Sequence, residues 1–115
     1  MIELDSKQMQ AGVMEAVLQG DLNARGADQL LKFIDDMLVQ GRNRVILDCG
    51  GLGYVSSAGM ATLITLHRKL QDTGGRLLIA GATGPVFELL DLMNLGSILE
   101  LYPDMDGARQ AFNPT

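Results

Sequence analysis

The sequence predicts an α/β domain built on a mixed, mostly parallel sheet of four to five strands with about four helices. Three observations carry this. Val45-Ile46-Leu47 and Leu77-Leu78-Ile79-Ala80 are apolar on consecutive residues, and such a strand needs cover on both faces. Amphipathic helical stretches lie before, between and after these runs. Strand and helix patterns alternate in the order β-β-α-β-α-β-α-β-α, the pattern of a sheet layered with helices.

The elements follow in order. Ile2 and Leu4 alternate with polar neighbours, and Val13 to Leu18 reads as a second strand after a turn at Gln10-Ala11-Gly12, so the two are expected to form a hairpin. Gly20-Asp21-Leu22-Asn23 is expected to end the second strand and turn the chain into a helix. Ala27, Leu30, Leu31, Ile34, Met37 and Leu38 form one face of that helix. Asn23 is its expected N-cap and Gly41 its stop, while Asp28, Lys32, Asp35 and Asp36 fall mainly outside. Val45 to Leu47 is the third strand, with Asp48 and Cys49 at its end. Gly50-Gly51-Leu52-Gly53 is expected to break regular structure.

A second helix is expected from about Ser57 to Asp72. Met60, Leu63, Ile64, His67 and Leu70 make its inner stripe, Leu66 lies at the edge, and Ala61, Thr65, Arg68 and Asp72 make the outer stripe. Gly74-Gly75 ends it, and Leu77 to Ala80 is the next strand. Pro85 suits the first turn of a third helix, with Val86, Leu89, Leu90 and Met93 inward and Asn94 as a left-handed stop. Ile98 to Leu101 is a last strand, Met105 to Phe112 a last helix, and Asn113-Pro114-Thr115 a frayed tail.

Bulk properties narrow the function. A net charge of −5 with nine scattered basic residues argues against a nucleic-acid partner, which needs clustered Lys and Arg. It suits a protein partner with a basic patch. The single Cys49 excludes an internal disulfide, reads as a small apolar core residue, and is compatible with a reducing cytoplasm. Met1 to Asp5 lacks the basic start and apolar core of a signal peptide. No apolar run approaches the roughly 20 residues of a membrane span, so neither a leader nor direct membrane insertion is expected.

Conventional chemistry is poorly supported. The one histidine, His67, sits on or beside the inner stripe of the second helix, as a packing residue would. Ser56 and Ser57 lack a nucleophile elbow and have no activating base. Gly51-Leu52-Gly53 lacks the third glycine of a dinucleotide loop, and no P-loop occurs. One Cys and one His offer no paired metal spacing. Asp48 resembles the acceptor position of a receiver domain, but the acidic pair and late lysine that receivers need are missing. No cofactor is expected. The remaining feature is Tyr54-Val55-Ser56-Ser57-Ala58-Gly59-Met60, which places two serines where an apolar strand meets an amphipathic helix. Either serine could cap that helix.

Five segments in the correct order, covering nearly the whole chain, resemble the anti-sigma factor antagonist family, the bacterial STAS domain. Gly20 to Asn23 resembles its Gly-x-Leu-Asp turn and Val45 to Asp48 its central strand. Tyr54 to Met60 resembles its Asp-Ser-Ser/Thr-Gly-Leu phosphorylation motif. Gly75-Arg76-Leu77-Leu78-Ile79 and Pro85-Val86-x-x-Leu89-Leu90 resemble the later strand and helix. On this resemblance residues 1–115 are one STAS domain. Aligned on Gly59, the family's phosphoacceptor falls on Ser57. Ser56 replaces the family aspartate before it, Ala58 takes the place of the following Ser or Thr, and Asn23 replaces the aspartate of the first loop.

The resemblance implies a cytoplasmic, non-enzymatic partner switch. Unphosphorylated, the domain would bind a GHKL-type serine kinase that also acts as an anti-sigma factor or similar regulator. That kinase would use ATP and magnesium ion to phosphorylate Ser57, and a PP2C-like serine phosphatase would reverse it. The expected contact surface is Asn23, Ser56, Ser57, Ala58, Met60 and Ala61, with the outer stripe towards Thr65 and Arg68. Two alternatives stand beside this. One is a constitutive STAS binding subunit of a membrane transporter or lipid-transport ATPase, with Ser57 only a cap. The other is a small enzyme or nucleotide-binding domain.

Overall fold

A computed structural model describes residues 2–8 and 12–112. The elements are β1 (Ile2–Gln8), β2 (Val13–Leu22), α1 (Ala24–Val39), β3 (Arg44–Val55), α2 (Ser57–Asp72), β4 (Arg76–Ala80), α3 (Gly84–Leu92), a 3-10 turn (Leu95–Ser97), β5 (Glu100–Tyr102) and α4 (Met105–Phe112). They form one five-stranded sheet in sequential order. β1 pairs antiparallel with β2, and every other neighbour is parallel. Parallel connections in one sheet are right-handed, so sequential order puts α1, α2 and α3 on the same face.

The two apolar runs supply both cores. Val45, Leu47, Leu77 and Ile79 join Leu30, Ile34, Leu63, Leu66 and Leu70 beneath α1 and α2. Their alternates Ile46, Leu78 and Ala80 face the other way, under Ala108 and Phe112 of α4. α4 is short, and polar contacts hold it as well. Glu15, 2% exposed, accepts from Arg109 Nε at 2.5 Å and Nη2 at 2.9 Å. Arg44 and Arg76 donate to the carbonyls of Phe112 and Ala111, both at 3.0 Å. Both guanidinium groups lie over the Phe112 ring, at 5.0 and 5.6 Å from its centroid, so the open end of the helix is covered by cations.

Several expected boundaries are corrected. β2 ends inside Gly20-Asp21-Leu22-Asn23 as expected, at Leu22, and Asn23 leads into α1, but Gly50 to Gly53 does not break β3. The two strands stay paired to Leu22↔Val55, through register shifts between Val17 and Gln19 and between Gly20 and Asp21. The glycines permit the pairing: a Cβ on Gly51 would lie 2.9 Å from Gln19 Cγ, so a residue type read as a breaker serves close strand approach. Asp48 is therefore inside β3, where its carboxylate accepts from the Gly50 N–H at 3.1 Å. The last strand starts at Glu100, because the 3-10 turn occupies the chain before it. Met93 is 57% exposed, since α3 ends at Leu92, and Leu66 is fully buried rather than at an edge.

Other expectations hold. The β1–β2 hairpin forms, although Gln10 and Ala11 of its turn, and the tail 113–115, lie outside the described residues. Gly41 and Asn94 take left-handed backbone at φ 77° and 55°. Cys49 is buried, and burial first, then neighbouring Asp48, pushes its thiol up to about 12. It is a protonated packing residue. His67 is also buried, and its Nδ1 has no hydrogen-bond partner among the described residues. No helix among the described residues is long and apolar enough to cross a membrane.

Candidate functional site: the carboxyl edge of the sheet

Leu22 and Val55 are paired at the ends of β2 and β3, and each strand passes directly into a helix. Asn23 and Ser56 are the N-caps, both in extended backbone. Asn23 Oδ1 accepts from the Gly26 N–H at 2.9 Å. Ser56 Oγ accepts from the Gly59 N–H at 3.0 Å and donates to the Leu22 carbonyl at 3.1 Å. The Ser56 N–H reaches that same carbonyl at 2.9 Å. The two helix N-termini are thus stitched side by side through one strand end.

This geometry separates the serines. Ser56 is half-buried and both roles of its hydroxyl are committed. Ser57, the first residue of α2, is exposed, and its hydroxyl has no hydrogen-bond partner among the described residues. The cap that sequence left open between them belongs to Ser56, and the reading of Ser57 as only a cap is corrected accordingly. An aspartate at position 56 could accept from Gly59 but could not donate to Leu22, so serine here keeps the cap and adds a tether. Ser56→Ala is expected to cost about 1 kcal/mol, the usual size of a lost N-cap. Ser57→Ala should stay within about 0.5 kcal/mol of wild type. Urea denaturation of the two variants checks this, and the reverse order would contradict it.

Gly59 has a structural role that the sequence motif alone does not reveal. It is buried where the first turn of α2 presses on β2. A Cβ there would lie 2.4 Å from the Leu22 carbonyl oxygen and 2.9 Å from Leu22 Cγ. A buried glycine inside an amphipathic pattern was the available signal.

The other expected contact residues fall into place as follows. Asn23, Ala58, Ala61, Thr65 and Arg68 are exposed, and Met60 is half-buried against the helix-side core. Ser57, Ala61, Thr65 and Arg68 recur at steps of four, four and three, so they line one outer row of α2. At about 1.5 Å per residue the row runs about 16 Å, which places Arg68 away from the N-terminal edge. Asn23, Ser56, Ser57 and Ala58 gather at that edge. Neither α1 nor α2 carries an acidic residue in its first turn, so no side chain there offsets the positive ends of the two helix dipoles. Lys69 of α2 reaches Asp35 of α1 at 2.6 Å. Both groups are roughly half-exposed, so the pair adds little stability.

The chain matches the family model described as "Mlab, STAS domain" over residues 6–101. BtrV of Bordetella bronchiseptica, assigned as an anti-sigma factor antagonist, is 31% identical over 101 residues, or 88% of this chain and 87% of that one. An anti-sigma factor antagonist from Mycobacterium paratuberculosis has a similar crystal structure, with TM-score 0.85 at 22% identity over 96% of this chain and 93% of that one. SpoIIAA of Bacillus shares the fold at 15% identity in two forms. Its unphosphorylated form has TM-score 0.74 over 98% of this chain and 100% of its own. Its phosphorylated form has TM-score 0.71 over 95% and 99%. The family match, the 31% identity to BtrV and the shared five-stranded architecture agree: the chain belongs to the STAS domain family.

Proposed function

We propose that this protein is a cytoplasmic anti-sigma factor antagonist controlled by phosphorylation of Ser57. Unphosphorylated, it binds an anti-sigma factor that is also a GHKL-type serine kinase, and so frees the kinase's other client. Phosphorylation of Ser57 ends the complex, and a PP2C-like phosphatase restores it. The protein is the substrate in this cycle and performs no catalysis of its own.

One observation carries the reading: of two adjacent serines, Ser56 is tied down as the cap and Ser57 stands exposed and unbonded at the positive end of a 16-residue helix. A kinase needs such a hydroxyl. A phosphate there adds about −1.5 to −2 charges at a helix end that favours anions, so the fold tolerates it. The relative BtrV, named for antagonism of an anti-sigma factor, supports the partner class. SpoIIAA, solved in phosphorylated and unphosphorylated forms with this fold, supports a modification that leaves the architecture standing.

The test is incubation with the cognate kinase and radiolabelled ATP. Wild type is expected to take label, Ser56→Ala to keep it and Ser57→Ala to lose it. Wild type without label would favour the constitutive binding subunit and sink the switch.

A further inference from the structure

We infer that the partner surface continues over the carboxyl edge of the sheet onto its other face, where Tyr54 is an anchor for an arginine or lysine of the partner. The inference rests on the reading of Ser57 as a partner-binding end. Tyr54 is 49% exposed although it is the second-last residue of the central strand. Among the described residues nothing on its own face covers it, because α4 packs on Val13, Ile46, Leu78 and Ala80 nearer the other end. A bulge aims it. Gly20 pairs with Leu52 but Asp21 pairs with Tyr54, leaving Gly53 as the extra residue, and bulges turn the side chains that follow them.

The register fixes the direction. The next pair, Leu22 and Val55, is buried in the helix-side core, so Asp21 and Tyr54 face the opposite side. Gly51 and Gly53 precede the ring on β3 and have no side chains to crowd it. Tyrosine, with an apolar body and a polar tip, is among the residue types enriched at interface hot spots. Exposed Asp21, directly across the strand pair, places a carboxylate beside it. A guanidinium can stack on the ring and pair with the carboxylate at once. Exposed Glu3 and Asp5 of β1 lie on the same face, across β2 from β3, so the charge favours a basic partner segment. Tyr54 is separated from Ser57 by two residues of chain, so one partner that straddles the edge meets both.

The test titrates the full chain against the kinase that labels Ser57, with wild type, Tyr54→Ala, Tyr54→Phe, Asp21→Lys and Ser57→Asp. Tyr54→Ala and Asp21→Lys are expected to weaken binding at least about tenfold, with Tyr54→Phe within about threefold of wild type. Asp21→Lys is an exposed substitution, so it decides the matter if Tyr54→Ala lowers the melting temperature. Loss of binding in Ser57→Asp with Tyr54→Ala and Asp21→Lys near wild type overturns the inference and leaves the Ser57 reading intact. Unchanged binding in Ser57→Asp instead sinks that reading. If Tyr54→Ala alters self-association on gel filtration while kinase affinity is kept, the face belongs to a second copy and the inference is overturned.

Discussion

Ser57→Asp is expected to weaken the complex with the kinase by about tenfold to a hundredfold while leaving the melting temperature nearly unchanged. The two halves of this expectation have separate causes. Stability is preserved because Ser57 makes no bond that the substitution removes, and an aspartate at the first position of a helix suits the dipole. Binding is expected to fall because the side chain is exposed on the edge proposed as the partner surface. A carboxylate desolvated there without a cation facing it costs a few kcal/mol, and each 1.4 kcal/mol is about a factor of ten. Aspartate carries one charge where a phosphoserine carries nearly two, so it is the weaker of the two perturbations. Calorimetric titration together with a thermal melt separates loss of affinity from loss of fold. A variant that binds poorly because it has unfolded would not support the proposal.

Gly59→Ala is expected to destabilise the protein by about 1–3 kcal/mol. Alanine improves helix propensity over glycine by about 1 kcal/mol, so propensity alone predicts the opposite sign. Packing decides the outcome. The added methyl would lie 2.4 Å from the Leu22 carbonyl oxygen, and a backbone atom in a paired strand end cannot swing aside as a side chain can. The first turn of α2 must lift away instead. That strains the bonds from Ser56 to Leu22, and overpacking of this kind costs about 1–3 kcal/mol or more. A fall in melting temperature of about 10 °C is the expected reading. A rise would show that helix propensity dominates and that α2 is not seated tightly on β2. Because the clash sits beside the caps, Gly59→Ala should also disturb presentation of Ser57 and slow its labelling.

Much of this was legible in the sequence, for identifiable reasons. The doubly apolar runs at Val45 to Leu47 and Leu77 to Ala80 announced strands covered on both faces, and α4 on one side and three helices on the other supply that cover. α1 and α2 were legible from their stripes and caps. The failures share one cause. Gly20, Gly50, Gly51 and Gly53 carry the local signature of turns, yet pairing between β2 and β3 holds them in strands. Local propensity cannot report a partner strand more than 30 residues away. The same overhang of β2 and β3 carries the edge residues, so the division of labour between Ser56 and Ser57 was invisible too. It depends on the Leu22 carbonyl, which is distant in sequence and adjacent in space. Tyr54 was read as part of a motif, and only the bulge before it gives its ring a direction.

In the proposed switch, phosphate on Ser57, and not a change of fold, ends the partner complex. Titration of the kinase with protein phosphorylated at Ser57, beside unphosphorylated protein, tests this most directly. The phosphorylated form is expected to bind more than about a hundredfold more weakly, with both forms melting at similar temperatures. Equal affinities for the two forms would contradict it.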